Sequence, residues 1–172
     1  SYFKWKWYFS YASGSIGCLS EKWNIITMSA FNSLQSWFSL KRSKQTLKEV
    51  LKYHKECKHV FEDDRIIERD YGELNGKTHL QIVQKSGTKS YDSWHRSWDI
   101  RPPKGESFKD VEKRVSPFVH FLKDFVKKNK VNVAISAHGN SIRLFRKIME
   151  GLSIKETCEL HIPYDKVYEY DL

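Results

Sequence analysis

Apolar residues recur every three or four positions from Phe108 through Val111, Val115, Phe118, Val119 and Leu122 to Phe125 and Val126. That spacing turns one face of an α-helix towards a core. Ser107 stands where its hydroxyl can cap the first turn, and Asp110 puts an acid at the positive end of the helix dipole. Pro117 lies within the run, which predicts either a kink or a start later than Ser107. The period then changes. Val131 to Ala137, VNVAISA, is a short β-branched run that reads as a buried strand, followed at once by His138-Gly139-Asn140-Ser141 and a second helical period through Ile142, Phe145 and Ile148. Upstream, Leu47, Val50, Leu51 and His54 predict a helix over 44–57 with Ser43 as its cap. Ser153 with Glu156 forms a capping box for a short helix. Residues 166–172 alternate as a final strand, and Arg101-Pro102-Pro103 marks a loop. Residues 1–40 are dense in aromatic side chains and fit neither period, so no element is assigned there.

The alternation of strand, turn and helix predicts an α/β class. A chain of 172 residues fits a single domain over 1–172. Apolar residues at 40% and charged residues at 30% describe a soluble protein, with no run long enough to span a bilayer. Lys4 and Lys6 interrupt the aromatic opening, unlike a secretory signal. Cys18, Cys57 and Cys158 are widely spaced without a CxxC pair, which argues against disulfides and a zinc site. These features predict a cytoplasmic protein without a metal or a membrane partner.

A net charge of +9 favours encounters with anions. It does not choose among nucleic acid, acidic membranes and phosphorylated small molecules. Lys127, Lys128 and Lys130 are explained by solvation and by the negative end of a helix dipole. No nucleic-acid motif is present, so nucleic acid is not expected as a partner.

His138 follows a strand and precedes a helix, where the first free amides and the dipole favour an anion. Gly139 allows close backbone approach, and Asn140 and Ser141 add neutral donors. The segment ISAHGNSIRLFRKIMEGLS closely resembles the second histidine motif of the cofactor-dependent phosphoglycerate mutases, within the histidine phosphatase superfamily. Further blocks agree in order. They are Glu68-Arg69-Asp70-Tyr71-Gly72-Glu73-Leu74-Asn75-Gly76, then Trp94 to Ile100 running through Pro102-Pro103 to Gly105-Glu106-Ser107, and the closing Ile162-Pro163 to Leu172. Ser39 to Thr46 resembles, more weakly, the segment that supplies a phosphate-binding arginine. The resemblance is clear over 41–172, while 1–40 is diverged or truncated.

This resemblance implies a mostly parallel sheet flanked by helices on both faces, as a monomer or homodimer. It implies interconversion of 3-phosphoglycerate and 2-phosphoglycerate in glycolysis and gluconeogenesis, primed by 2,3-bisphosphoglycerate and needing no metal. Glu68 would be the general acid and base, with Arg42 and His138 on the transferring phosphoryl. Arg69, Tyr71, Arg96, Gly139 and Asn140 would hold the rest of the substrate, because an arginine fork suits phosphate and carboxylate alike. His95 stands where the family pairs a second arginine and His79 where it has a lysine, which implies weaker phosphate affinity. Trp94 and Trp98 read as packing residues.

The family's phosphoryl-accepting histidine in an R-H-G turn has no counterpart, and the first histidine of the sequence is His54. Ser20-Glu21 with Trp23-Asn24 can match the S-E-W-N after that turn, which puts Gly17 in the nucleophile's place. Leu19 to Lys22 can instead match a later helix start. The second, preferred alignment puts the first strand before Ser1 and leaves 22–40 too short for the helix and strand that should follow. Two other readings remain: a histidine phosphatase that hydrolyses phosphoesters, and a phosphate-binding remnant without turnover.

Overall fold

The computed structural model describes residues 4–9, 23–27, 48–49, 51–53, 59–163 and 168–171. Its strands are β1 (Lys4–Phe9), β2 (Trp23–Thr27), β3 (His59–Glu62), β4 (Asn132–Ala137) and β5 (Glu169–Asp171). They form one sheet in the order β3-β2-β4-β1-β5. The pairs β3–β2, β2–β4 and β4–β1 are parallel, and β5 closes the edge antiparallel to β1. Phe9 pairs with Ala137, so the carboxyl end of β1 lies beside the residue that precedes His138.

Two of these strands fall in the segment where periodicity assigned nothing. The preferred alignment put the first strand before Ser1, whereas Lys4–Phe9 supplies a strand next to β4. Trp23-Asn24 opens β2, the strand between β3 and β4. The alignment that puts Gly17 in the nucleophile's place leaves room for β1 ahead of it, but neither alignment starts a strand at Trp23. Lys4, Trp5, Lys6 and Trp7 do alternate, but the aromatics around them hide the period.

The helices are α1 (His79–Ser86), α2 (Thr88–Arg96), α3 (Phe108–Asn129), α4 (Gly139–Glu150) and α5 (Ile154–Glu159). Residues 48–49 and 51–53 are also helical, inside the helix expected at 44–57. Ser43 and the rest of that helix lie outside the described residues.

α3 begins where its cap predicts. The Ser107 hydroxyl accepts from the Asp110 amide, and the Asp110 carboxylate accepts from the Ser107 amide, closing a capping box. Pro117 therefore sits inside the helix and does not delay its start. Seven α3 residues, Phe108, Val111, Val115, Phe118, Val119, Leu122 and Val126, are buried. They pack with Val133 and Ile135 of β4 and with Ile142 and Phe145 of α4. Truncating one large member, such as Phe118 at 0% exposure, costs about 3–5 kcal/mol because the surrounding atoms only partly close the cavity. This core fixes the end of β4 against the start of α4.

Two loops cross beside that end. Gly72 has φ +57°, and a Cβ there would stand 2.1 Å from the Pro103 carbonyl oxygen. The left-handed conformation and the close approach both demand glycine. The Glu73 amide donates to Pro103 O at 2.9 Å and the Glu106 amide to Asp70 O at 2.8 Å, which ties 70–73 to 103–106.

Candidate functional site

The residues after β4 build the floor of the site. His138 is extended, at φ −100° and ψ 163°, and occupies the N-cap position of α4. Its carbonyl accepts from the Ile142 amide at 3.0 Å, so the helix starts with Gly139. The first amides of α4 therefore have no acceptor within the helix.

Glu68 meets those amides. Its Oε1 accepts from the Asn140 amide at 3.2 Å and from the Arg69 amide at 2.7 Å. The carboxylate is held at the helix amino terminus, where the dipole favours negative charge. Ser141 adds a second tie by donating its hydroxyl proton to the Ile67 carbonyl.

The loop that carries Glu68 is clamped from α3. Arg114 Nη1 donates to the carbonyls of Arg65 at 3.0 Å and Ile67 at 2.9 Å, and its Nη2 donates to that of Glu68 at 3.1 Å. The same guanidinium pairs with Glu106, Nε to Oε1 at 3.0 Å and Nη2 to Oε2 at 2.9 Å. Glu106 Oε2 also accepts from the Asp70 amide at 3.0 Å. One arginine fork thus fixes the backbone on which Glu68 and Arg69 stand.

Arg69 is 2% exposed. Its Nε donates to Glu106 O at 2.6 Å and its Nη2 to Trp94 O at 2.7 Å. Nη1 is buried and has no partner among the described residues. Burial lowers the pKa of this guanidinium, against the pull of Tyr71, Glu106, Glu68 and Asp110. Its charge is spread over carbonyls and over the Phe108 ring at 4.7 Å, a ring shared with the Arg143 guanidinium at 5.0 Å.

Tyr71 lies beside these cations, and its hydroxyl accepts from Asn140 Nδ2 at 2.9 Å. Burial, and then the negative charge of Glu68, raise its pKa, so the hydroxyl stays protonated. A row of rings leads away from it. Tyr71 stacks on His95 at 5.3 Å, His95 on Tyr91 at 3.8 Å, and His79 meets Tyr91 edge-on at 4.3 Å. His95 Nδ1 lies 2.9 Å from Tyr91 O, and burial lowers the pKa of the ring against that hydrogen bond. The two histidines at family cation positions are thus part of an aromatic stack, His95 within ring contact of the site and His79 two rings further out.

Arg96 is exposed at the end of α2, where it donates to Cys158 O at 3.3 Å. It lines an open recess of about 450 Å³ with Lys155, Cys158 and Glu159. Arg42 lies outside the described residues. Glu68, Arg69, Tyr71, His138, Gly139 and Asn140 therefore gather at the end of β4, with His95 behind Tyr71 and Arg96 on the neighbouring recess. Sequence reading gave no role to Arg114, Glu106 or Arg143. One signal for Arg143 was available: it lies three residues after Asn140, the spacing at which helical side chains meet. Its Nη1 donates to Asn140 Oδ1 at 2.6 Å.

The chain is 36% identical over 121 residues to a 2,3-bisphosphoglycerate-dependent phosphoglycerate mutase of Chlamydia felis, covering 69% of this chain and 53% of that protein. It is 40% identical over 115 residues to a 2,3-bisphosphoglycerate-dependent phosphoglycerate mutase of Gloeobacter violaceus, covering 65% and 49%. The chain spans about half the length of these curated relatives. Among solved structures, a putative α-ribazole-5′-phosphate phosphatase of Escherichia coli superposes with a TM-score of 0.71 at 15% identity, over 99% of this chain and 91% of that one. A mycobacterial glucosyl-3-phosphoglycerate phosphatase in complex with inorganic phosphate gives 0.66 at 22% identity, over 84% and 67%. At such identities the structures share the fold. The model of the histidine phosphatase superfamily (branch 1) matches residues 36–172, and with four fifths of its length inside that match, the chain belongs to this superfamily.

Proposed function

We propose that the chain takes small phosphorylated hydroxy acids at the site around Glu68 and His138, in the manner of a phosphoglycerate mutase. The substrates are 3-phosphoglycerate and 2-phosphoglycerate, handled in the cytoplasm as part of glycolysis and gluconeogenesis by a monomer or homodimer. The carrying observation is the Glu68 carboxylate at the amino terminus of α4, 3.2 Å from the Asn140 amide. An anion drawn to those amides brings its hydroxyl within reach of a carboxyl that can pass a proton to and from it. His138 and Arg42 would neutralise the transferring phosphoryl from the side. Arg69, Tyr71, Arg96, Gly139 and Asn140 would hold the remaining phosphate and carboxylate.

The donor set also fits 2,3-bisphosphoglycerate. Arg69 Nη1 has no partner among the described residues, and Tyr71 keeps its proton. When bound, this compound would supply the phosphoryl group for priming. Arg69, Tyr71, Arg96 and Asn140 are the residues that would hold it.

Covalent transfer needs a nucleophile, which splits a hard isomerisation into two easier steps. These 172 residues contain no R-H-G triplet, so their own mutase turnover is very low. That absence favours a second reading, a phosphate-binding member of the superfamily without turnover. One assay separates the two. The chain is incubated with 2,3-bisphosphoglycerate, acid-labile phosphohistidine is sought by mass spectrometry, and conversion of 3-phosphoglycerate is followed in parallel. Conversion that emerges only after an R-H-G segment is restored supports the mutase reading. Robust conversion by the unaltered chain, with phosphate on His138, contradicts the claim that it lacks a nucleophile. Hydrolysis of phosphoesters without isomerisation contradicts the mutase reading itself.

A further inference from the structure

Arg143 lies on the first turns of α4, partly buried, and each nitrogen of its fork donates a hydrogen bond. Nε and Nη2 donate to the Leu160 carbonyl at 3.3 and 2.9 Å, while Nη1 donates to Asn140 Oδ1 at 2.6 Å. The Asn140 side chain, 8% exposed, then presents Nδ2 to the Tyr71 hydroxyl at 2.9 Å. An amide has one accepting and one donating end. With Oδ1 bound to a guanidinium, only the donating end is left for Tyr71. A phenol that accepts from an amide keeps its own proton for another acceptor.

We propose that Arg143 is a positioning residue: by fixing the Asn140 amide it sets the Tyr71 hydroxyl to donate to a bound anion. The inference rests on the reading that Tyr71 faces the substrate. Without the fork the amide is free to turn over and present Oδ1 to Tyr71. Tyr71 would then donate to Asn140 and turn its lone pairs on the anion, replacing an attraction by a repulsion. Burial of Tyr71 supports the arrangement, since it keeps the phenol neutral. The Leu160 carbonyl anchors the arginine from the residue after α5, so the relay also links that segment to the site.

Charge alone and geometry are separated by Arg143→Lys and Arg143→Gln. Lysine keeps the charge but replaces the planar fork with a single ammonium, which cannot reproduce bonds from three nitrogens to two acceptors. Two readouts apply: affinity for inorganic phosphate by titration, and the Asn140 side-chain amide protons by NMR. In the unaltered chain these protons should exchange slowly and show contacts to the Tyr71 ring. Both variants should bind phosphate about tenfold more weakly, the size of one lost hydrogen bond to an anion, with faster exchange at Asn140. Arg143→Lys with unaltered affinity and an unaltered amide would overturn the proposal and leave only a charge effect. If neither variant folds, the unaltered chain decides: an Asn140 amide that exchanges like a solvent-exposed one overturns the relay. A protected amide with no phosphate binding at all would instead remove the anion site on which the relay acts, a failure of the reading of the site.

Discussion

The Asn140 amide donates to Glu68 Oε1 at 3.2 Å across 72 residues of sequence. This bond joins the loop that carries Glu68 to the start of α4, and Arg114 clamps the backbone of that loop. Three carbonyls and the Glu106 carboxylate accept from that one guanidinium. Arg114→Ala leaves those groups without their shared donor and should lower stability by about 2–4 kcal/mol. Urea unfolding at constant m would measure the loss; a change below about 0.5 kcal/mol would show that the loop is held by other contacts.

The crossing of the two loops gives a sharper steric test. Gly72→Ala places a Cβ 2.1 Å from Pro103 O in a backbone with φ +57°. The left-handed strain alone is about 1–2 kcal/mol, and the overlap adds to it. The substituted protein should lose stability by more than that strain and also bind phosphate more weakly. Gly76→Ala shares a positive φ, but its Cβ meets nothing within 4 Å, so it should cost only the strain. Equal losses at the two glycines would mean that the close approach at Pro103 relaxes freely.

What the sequence made legible follows from where the information lies. α3 was readable because seven buried positions repeat over 22 residues and its capping box is local. β4, the His138 turn and α4 were readable for the same reason, a change of period at a tight turn. β1 and β2 were not, because strands joined by parallel pairing draw their register from partners more than a hundred residues away, and their aromatic neighbours mask the alternation. The candidate residues Glu68, Arg69, Tyr71, His138 and Asn140, which the structure brings together, stand in contiguous motif blocks. Arg114 and Arg143 were passed over because each stands among charged or helical neighbours, as Lys113 and Arg146 do, where a solvated face is the ordinary reading. Their roles depend on the path of the 65–68 loop and on the Leu160 carbonyl, which periodicity does not report.

His95 makes stability depend on pH. Burial lowers its pKa below 6.5 in the folded chain, so the unfolded chain binds more protons between the two values. The stabilising contribution is therefore fully present above about pH 6.5 and is lost as pH falls through the lower folded value. Melting temperatures at pH 7.5 and pH 5 for the unaltered chain and for His95→Gln should show a smaller acid loss in the variant. Identical slopes would remove His95 from the account.

Arg96 is exposed beside the recess, so its contact with a phosphorylated ligand is open to screening by salt. Arg96→Ala should weaken 3-phosphoglycerate binding several-fold, on the order of 1 kcal/mol, at low ionic strength and by less in 0.5 M salt, on the scale of a shortened Debye length. Lys128→Ala, at the end of α3, should change little. Calorimetric titrations across a salt series compare the two; equal losses would mean that net charge, and not a site, holds the ligand.

An anion site at the end of β4 should be visible by NMR shift mapping with 3-phosphoglycerate. The amides of Arg69, Gly139, Asn140 and Ser141 and the rings of Tyr71 and His95 should shift together along one binding curve. No shifts at millimolar ligand, or shifts confined to the Lys127 to Lys130 end of α3, would contradict it.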